Sequence, residues 1–258
     1  MKTNEAKKAL KQGKSIIGTM TMEFSSPEMA RALAAAGFDF VIIDTEHSSY
    51  TLETVTDLIR AGKSLGMDCI VRVPDPLYHL MARTCDAGAQ GLMVPRVETV
   101  DQVERVVQAV KYPPIGKRGF GVRPIHTNYE TMPVPALLER MNEESMIIIQ
   151  IESGKAVDNI DELLSADHVD VALIGPFDLS IDLKVPGEFE HPTVVEAIEK
   201  VIASCNRHDV AAGIHMGSVN AVIDWAGKGM RCLTCSSDLG MLSQAARSNV
   251  RKIREGIQ

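Results

Sequence analysis

The sequence predicts a closed (β/α)8 barrel, a single domain over residues 1–258. Short apolar runs alternate with helical stretches eight times, which implies parallel pairing,. The runs are continuously apolar, as strands covered on both faces must be. Two of them end abruptly in carboxylates: Met146-Ile-Ile-Ile-Gln-Ile-Glu152, and Val169-Asp-Val-Ala-Leu-Ile-Gly175 followed by Pro-Phe-Asp178. Polar residues at the C-terminal ends of strands are where a barrel carries its chemistry. The alternative architecture for the same alternation is an open doubly wound sheet.

An extra N-terminal helix precedes a first strand from Ser15 to Thr21. Ser26-Pro27-Glu28 then opens a helix with a capping side chain and proline at the first helical position, and Gly37 closes it,. Phe38 to Asp44 reads as the second strand, Leu52 to Leu65 as a helix stopped by Gly66, and Asp68 to Val73 as the third strand. A helix over Leu77 to Asp86, a fourth strand over Gly91 to Val94 and a helix over Val100 to Val110 follow. Lys111 to Pro135 breaks the rhythm with Tyr-Pro-Pro and Gly-Lys-Arg-Gly-Phe-Gly, a connection long enough to suggest a function of its own,. Its glycines lack the spacing and the strand-to-helix setting of a phosphate loop. Arg118 and Arg123 within it suit an anion or a neighbouring subunit, or else a solvated surface,. After the central strand come a helix over Asp158 to Leu164, a sixth strand over Asp170 to Ile174 and a long amphipathic helix over Thr193 to His208. Val210 to Ile214 is the seventh strand, Ala221 to Gly227 a helix, Met230 to Cys235 the eighth strand, and Leu239 to Ile257 the closing helix.

Bulk properties narrow the function. A net charge of −7 with 4% aromatic residues provides neither a basic stripe nor a stacking platform, which excludes a nucleic-acid partner,. No apolar run is long enough to span a bilayer, and the mixed-charge start MKTNEAKKALKQGK has no apolar core segment, so the expectation is a soluble cytoplasmic protein without a membrane partner,. The five cysteines lack framework spacing and read as reduced core thiols,. Cys232-Leu-Thr-Cys235 on a strand points its two thiols to opposite faces,.

The rim residues carry the chemistry. Glu152 and Asp178 together can hold a hard divalent cation through oxygen, or each can simply begin the helix that follows it,. The second strand ends Ile43-Asp44-Thr45-Glu46-His47, a histidine beside carboxylates able to fix its tautomer and raise its basicity,. The third ends Val71-Arg72-Val73-Pro74, where a guanidinium suits a substrate carboxylate or an internal salt bridge to Glu46 or Glu152,. Asp86, in Cys-Asp-Ala-Gly-Ala-Gln90, reads as a helix end capped by Gly88,. His215 after strand seven and Asp238 after strand eight fall at the rim without a distinguishing context. A histidine base, an arginine clamp and an oxygen-ligated metal suit enolisation of a 2-oxo acid. No lysine stands at the expected strand ends, which argues against a Schiff base,.

In this order and spacing, IIDTEH, VRVP, GAQGLMVPRVET, YPPIGKRGFG, QIES and IGPFDLS closely resemble the metal-dependent class II pyruvate aldolases of the HpcH/HpaI type, over nearly the whole chain. The resemblance implies reversible cleavage of a 4-hydroxy-2-oxo acid into pyruvate and an aldehyde, with Mg2+, Mn2+ or Co2+. It implies Glu152 and Asp178 as metal ligands, with Gln150 close to the substrate. Arg72 would hold pyruvate, and His47 would move the proton with Asp44 as its carboxylate partner. Gly175 and Pro176 lie in a turn whose backbone amides receive the substrate carboxylate. Asp86 would reach the site of an adjacent subunit, in a hexamer built from dimers that exchange the last helix. The chain departs from the family in two places. Gly18-Thr-Met20-Thr-Met22 replaces a tryptophan near the end of strand one, and His215-Met216 stands on the aldehyde side where aliphatic residues are usual. The rivals are a citramalyl- or malyl-CoA-type lyase or decarboxylase of the same fold, and a non-catalytic metabolite-binding barrel.

Overall fold

The apolar runs become eight strands that pair in parallel, in chain order, and close with β8 against β1. The computed structural model describes residues 3–121, 124–127 and 129–257. Along the chain the elements are α1 (Glu5–Lys11), β1 (Ile16–Thr21), α2 (Pro27–Ala35), β2 (Phe40–Asp44), α3 (Leu52–Ser64), β3 (Asp68–Arg72), α4 (Tyr78–Asp86) and β4 (Gly91–Val94). There follow α5 (Val100–Val110), α6 (Pro124–Thr127), α7 (Val134–Glu144), β5 (Met146–Ile151), α8 (Gly154–Asp158), α9 (Ile160–Leu164) and β6 (Val171–Ile174). The last are α10 (Pro176–Asp182), α11 (Pro192–Arg207), β7 (Ala211–Met216), α12 (Val219–Gly227), β8 (Cys232–Ser237) and α13 (Asp238–Gly256).

Alternation along each strand divides the core in two. Outward residues such as Val41, Ile43, Val71, Ile149 and Ile174 pack beneath the helices. Inward residues such as Ile16, Phe40, Ile42, Ile70, Ile148 and Leu173 fill the barrel, and α1 adds Ala6 and Leu10 to them. Small residues make room for the large ones: a Cβ on Gly18 would lie 2.5 Å from the Phe40 ring. The N-terminal end of the barrel is sealed by hydrogen bonds from α1. The Asn4 side-chain amide donates to Gln90 O and Glu144 O at 2.9 Å each. The Ala6 N–H reaches Asp68 Oδ2 at 2.8 Å, and Lys7 pairs with Asp170 at 3.0 Å. Both thiols of the Cys-x-x-Cys stretch are free, with Cys232 in the inner cluster and Cys235 against the outer one, as the strand alternation requires.

Several elements differ from the sequence expectation. The helix expected over Asp158 to Leu164 is two short ones meeting at Asn159, which ends α8 and begins α9. No helix was expected between Pro135 and the central strand, yet α7 forms there, its Leu137 and Met141 spaced to pack on Tyr112. Strand β7 runs on to Met216, so His215 lies within it rather than after it. Arg123 lies outside the described residues. Helix α13 leaves the barrel: of its 19 residues only Asp238 is buried, and Leu242, Val250 and Ile253 are exposed. No helix among the described residues is long and apolar enough to cross a membrane.

The barrel's closeness of packing is testable at Gly91, where a Cβ would stand 2.7 Å from Ile70 Cδ1, 2.8 Å from Met146 Cβ and 2.9 Å from Met146 O. Two of those neighbours belong to a paired strand that cannot give way cheaply. Gly91→Ala is expected to destabilise by about 1–3 kcal/mol, read as a lower urea midpoint at unchanged slope. An unchanged midpoint would show that β3, β4 and β5 can part to accept a methyl group.

Candidate active site

The inward alternation that packs the barrel also selects the residues at its mouth. Two positions beyond Ile42, Ile70, Ile148 and Leu173 lie Asp44, Arg72, Gln150 and Gly175. On the last two strands the same count reaches His215 and Thr234, which are register partners. The mouth is thus a ring of polar side chains standing on an apolar floor.

Arg72 and Asp44 are its centre. The guanidinium Nε and Nη2 donate to Asp44 Oδ1 and Oδ2, both at 2.7 Å, and Nη1 lies 3.3 Å from Glu46 Oε2. Asp44 is 0% and Arg72 7% exposed, so each charge depends on the other for solvation,. Burial opposes the Arg72 charge, but the hydrogen bonds to Asp44 and the charges of Asp44, Glu46 and Glu152 hold its pKa above the ordinary value. The salt bridge to Glu46 was among the sequence expectations, whereas Asp44 as the principal partner was not.

That pairing corrects the assignment of Asp44 to His47. Besides Arg72, the Asp44 carboxylate accepts the backbone N–H of Glu46 at 3.0 Å and of His47 at 3.3 Å. Its oxygens are filled by the fork and by the turn it organises, and the turn carries the His47 ring outward. The imidazole Nε2 stands 3.8 Å from Glu46 Oε2, with the side chain 59% exposed. Glu46, not Asp44, is the carboxylate nearest the ring.

Glu152 lies on the loop after β5 and Asp178 in the first turn of α10, which follows β6. They line one cleft of about 310 Å³ with Glu46, His47, Arg96 and Asp182. Glu152 Oε1 accepts the Arg96 N–H at 2.7 Å, and Oε2 accepts the Gln150 amide. Burial pushes the Glu152 carboxyl up to about 7, with the charges of Asp178 and Glu46 adding to it against the Arg96 hydrogen bond. Gln150 Oε1 is buried without a partner. Gly175 leaves the space these groups occupy, since a Cβ there would lie 2.8 Å from Gln150 Nε2. Among the described residues no cluster of three or more His, Cys, Asp or Glu forms a ready-made cage. Two carboxylates lining one cleft, one charge raising the pKa of the other, beside an unpartnered amide oxygen, fit a hard divalent ion that completes its shell from water and substrate oxygens,. In the turn that follows, the Gly175 N–H already donates to Ile151 O at 3.0 Å and Pro176 has none. The donors of that turn are therefore the next amides, those of Phe177 and Asp178.

Arg96 escaped the sequence reading. It adopts a left-handed backbone (φ 57) that aims its N–H at Glu152, while Nη2 reaches Glu46 Oε1 at 2.7 Å and Pro74 O at 2.8 Å. Its place in Val94-Pro95-Arg96, just past a strand end, was the available signal. Asp238 was likewise undistinguished, yet it accepts from Thr21 Oγ1 at 2.9 Å and from the N–H groups of Met22, Glu23 and Phe24 at 3.2, 3.1 and 3.0 Å. Burial works against its charge, but those hydrogen bonds outweigh it and lower the pKa. Asp86 ends α4 at the opposite, N-terminal face of the barrel, where Arg118 Nη2 meets it at 2.6 Å. Gly88 follows with φ +103, so the capped helix end is also present. A larger groove of about 840 Å³ at that face is bordered by Lys7, Lys111, Pro113 and Leu138. The Lys111 amine there is spent on Asn142 O at 2.6 Å and Ser145 O at 2.7 Å, and burial lowers its pKa to about 7.

The chain is similar to known proteins over nearly its full length. A family model described as HpcH/HpaI aldolase/citrate lyase matches residues 20–245. The chain is 31% identical over 255 residues to a hydroxypyruvate/pyruvate aldolase of Roseovarius nubinhibens, covering 98% of this chain and 97% of that one. It is 32% identical over 247 residues to a 4-hydroxy-2-oxo-heptane-1,7-dioate aldolase of Escherichia coli, covering 95% and 93%. The crystal structure of an HpcH/HpaI aldolase from Desulfitobacterium hafniense superposes with a TM-score of 0.92 at 36% identity, covering 96% of each chain. A closed parallel barrel with two carboxylates and a buried arginine at its mouth, matched over nearly its full length, places this chain in the HpcH/HpaI aldolase/citrate lyase family, as a carbon–carbon lyase.

Proposed function

We propose that the protein is a divalent-metal-dependent aldolase that reversibly cleaves a 4-hydroxy-2-oxo acid into pyruvate and an aldehyde. The observation that carries this reading is that Glu152, which lines one cleft with Asp178, also lies close enough to the buried Arg72 fork for the two charges to act on each other. The names of the relatives, aldolases of pyruvate and of a 4-hydroxy-2-oxo acid, support the substrate class.

Glu152 and Asp178 would hold the cation, with Gln150 Oε1 facing the substrate side. Bound there, a divalent ion supplies Lewis-acid polarisation of the keto oxygen. Arg72, locked by Asp44 and carrying a permanent charge, offsets the negative charge that develops when a proton leaves the pyruvate methyl group or the carbon–carbon bond breaks,. The amides of Phe177 and Asp178 receive the carboxylate at the start of α10,. His47, at the outer edge beside Glu46, moves the proton,. Asp86 acts only through another copy, since within its own chain it stands at the far end of the barrel. A hexamer of dimers exchanging α13 accounts for the apolar side chains that helix leaves exposed.

Incubated with a panel of 4-hydroxy-2-oxo acids, the protein should release pyruvate, lose that activity to a chelator and regain it with Mg2+, Mn2+ or Co2+. Inactivation by borohydride in the presence of pyruvate would reveal a Schiff base and sink the reading. Arg72→Lys should turn over at least about a hundredfold more slowly, because a point charge cannot reproduce a two-pronged contact. Turnover near that of the unaltered protein would show that the fork is only structural.

The raised Glu152 pKa has its own consequence. A carboxyl displaced from 4.5 to about 7 on folding stabilises the metal-free protein below pH 4.5, and that contribution is lost as pH rises through 7,. Divalent-ion affinity, measured by titration calorimetry, should therefore rise as pH passes through 7, with proton release on binding. In Glu152→Gln the metal-free stability should lose its slope over that window. A slope unchanged by the substitution would place the titration on another group.

A further inference from the structure

One member of the polar ring takes no part in the chemistry above. His215, half-buried on β7, sets its Nδ1 3.1 Å from the Thr234 hydroxyl of β8. A threonine hydroxyl has one proton, and that of Thr234 is directed at Ile214 O at 3.0 Å,. The bond to His215 must therefore run from the ring, with Nδ1–H donating and Thr234 Oγ1 accepting. This fixes the tautomer and leaves Nε2 with a lone pair and no proton. Burial and the nearby Arg72 charge lower the ring's pKa to about 4, Asp44 only partly opposing them, so it stays neutral at physiological pH. Nε2 is then an acceptor and nothing else, on the same inward layer as Arg72, Gln150 and Gly175.

An acceptor of this kind selects among the parts of the substrate. Pyruvate carries a carboxylate, a keto oxygen and a methyl group, none of which is an N–H or O–H donor. The carbonyl oxygen of an aldehyde is also an acceptor. The 4-hydroxyl of the aldol is also a donor, but every substrate of the class carries it; a hydroxyl elsewhere on the aldehyde is the donor that can distinguish one aldehyde from another. We propose that His215 is a specificity-determining residue whose Nε2 accepts a hydrogen bond from a hydroxyl of the aldehyde, so that the preferred aldehyde is hydroxylated rather than purely aliphatic. This rests on the aldolase reading, and Thr234 serves as its positioning residue.

The test is the addition of pyruvate to glycolaldehyde or to propanal, aldehydes of nearly equal size that differ in a hydroxyl against a methyl group. The unaltered protein should favour glycolaldehyde in kcat/KM. His215→Leu should shift the ratio toward propanal by about tenfold or more. His215→Gln, whose amide oxygen can accept, should keep part of the preference. Thr234→Val, which removes the partner that fixes the tautomer, should move the ratio in the same direction as the leucine variant but less far. Ratios unchanged in both His215→Leu and Thr234→Val would overturn the proposal. So would an equal loss with both aldehydes, which would make His215 a proton-transfer or purely structural group. Deuterium exchange into the pyruvate methyl group, followed by NMR on the unaltered protein, needs no aldehyde. Its absence would overturn the aldolase reading itself, whatever the ratios show.

Discussion

The constraint on which the molecule depends is that the strands of a closed parallel barrel turn almost nothing to water, Ile17 on β1 being an exposed exception. Outward side chains lie under helices and inward ones fill the bore, so both must be apolar for as long as the strand is enclosed. Polarity is admitted at the two ends of the bore, at Asp68 beneath α1 and at the last inward positions, where the bore opens. Asp44, Arg72, Gln150 and Thr234 are at that level because two residues below each of them, at Ile42, Ile70, Ile148 and Cys232, the bore is already filled, and His215 is the register partner of Thr234. The Arg72–Asp44 pair shows the cost of standing there. Neither group is hydrated, and each is tolerable because two short hydrogen bonds tie it to the other,.

The charges at the mouth are distributed unevenly. Arg72 is matched by Asp44 and Arg96 by Glu46, while Glu152 and Asp178 line one cleft and neither forms a side-chain ion pair among the described residues. Burial above all, with the charges of Asp178 and Glu46 adding to it, makes the Glu152 carboxyl hold its proton toward neutrality. Such a pair favours a small, doubly charged ion over a lysine or arginine, since the neighbouring arginines are already committed. Preorganisation of the arginines and attraction for a metal are thus two results of a single arrangement of charge.

Much of this was legible in the sequence because it obeys local rules. Each strand followed from a short, mostly apolar run, and Glu152, Asp178 and Arg72 stood out as charges at or just past the ends of such runs. What was not legible depends on partners distant along the chain. Asp44 lies three residues from His47 and 28 from Arg72, and nothing in the spacing shows that the fork wins both oxygens. Arg96 contributes mainly through a backbone N–H aimed by a left-handed turn, which the letters Val-Pro-Arg do not display. Helix α7 was hidden by its own beginning, Met132-Pro-Val-Pro, which reads as the end of a proline-rich connection rather than a helix start. His215 was placed after its strand because a histidine in a bore looks misplaced until the threonine opposite it is seen.

Asp238 joins parts of the molecule that the chain otherwise keeps far apart. It is the first residue of α13, the helix that projects from the barrel, and with a single carboxylate oxygen it also gathers the three successive amides of the loop leaving β1. The seam between first and last strands is therefore stapled from above by the root of the outgoing arm. A helix mounted in this way is a lever with its fulcrum on the lip of the bore: whatever grips its far end is tied through Asp238 to the Met22–Phe24 loop and to Thr21 of β1 together.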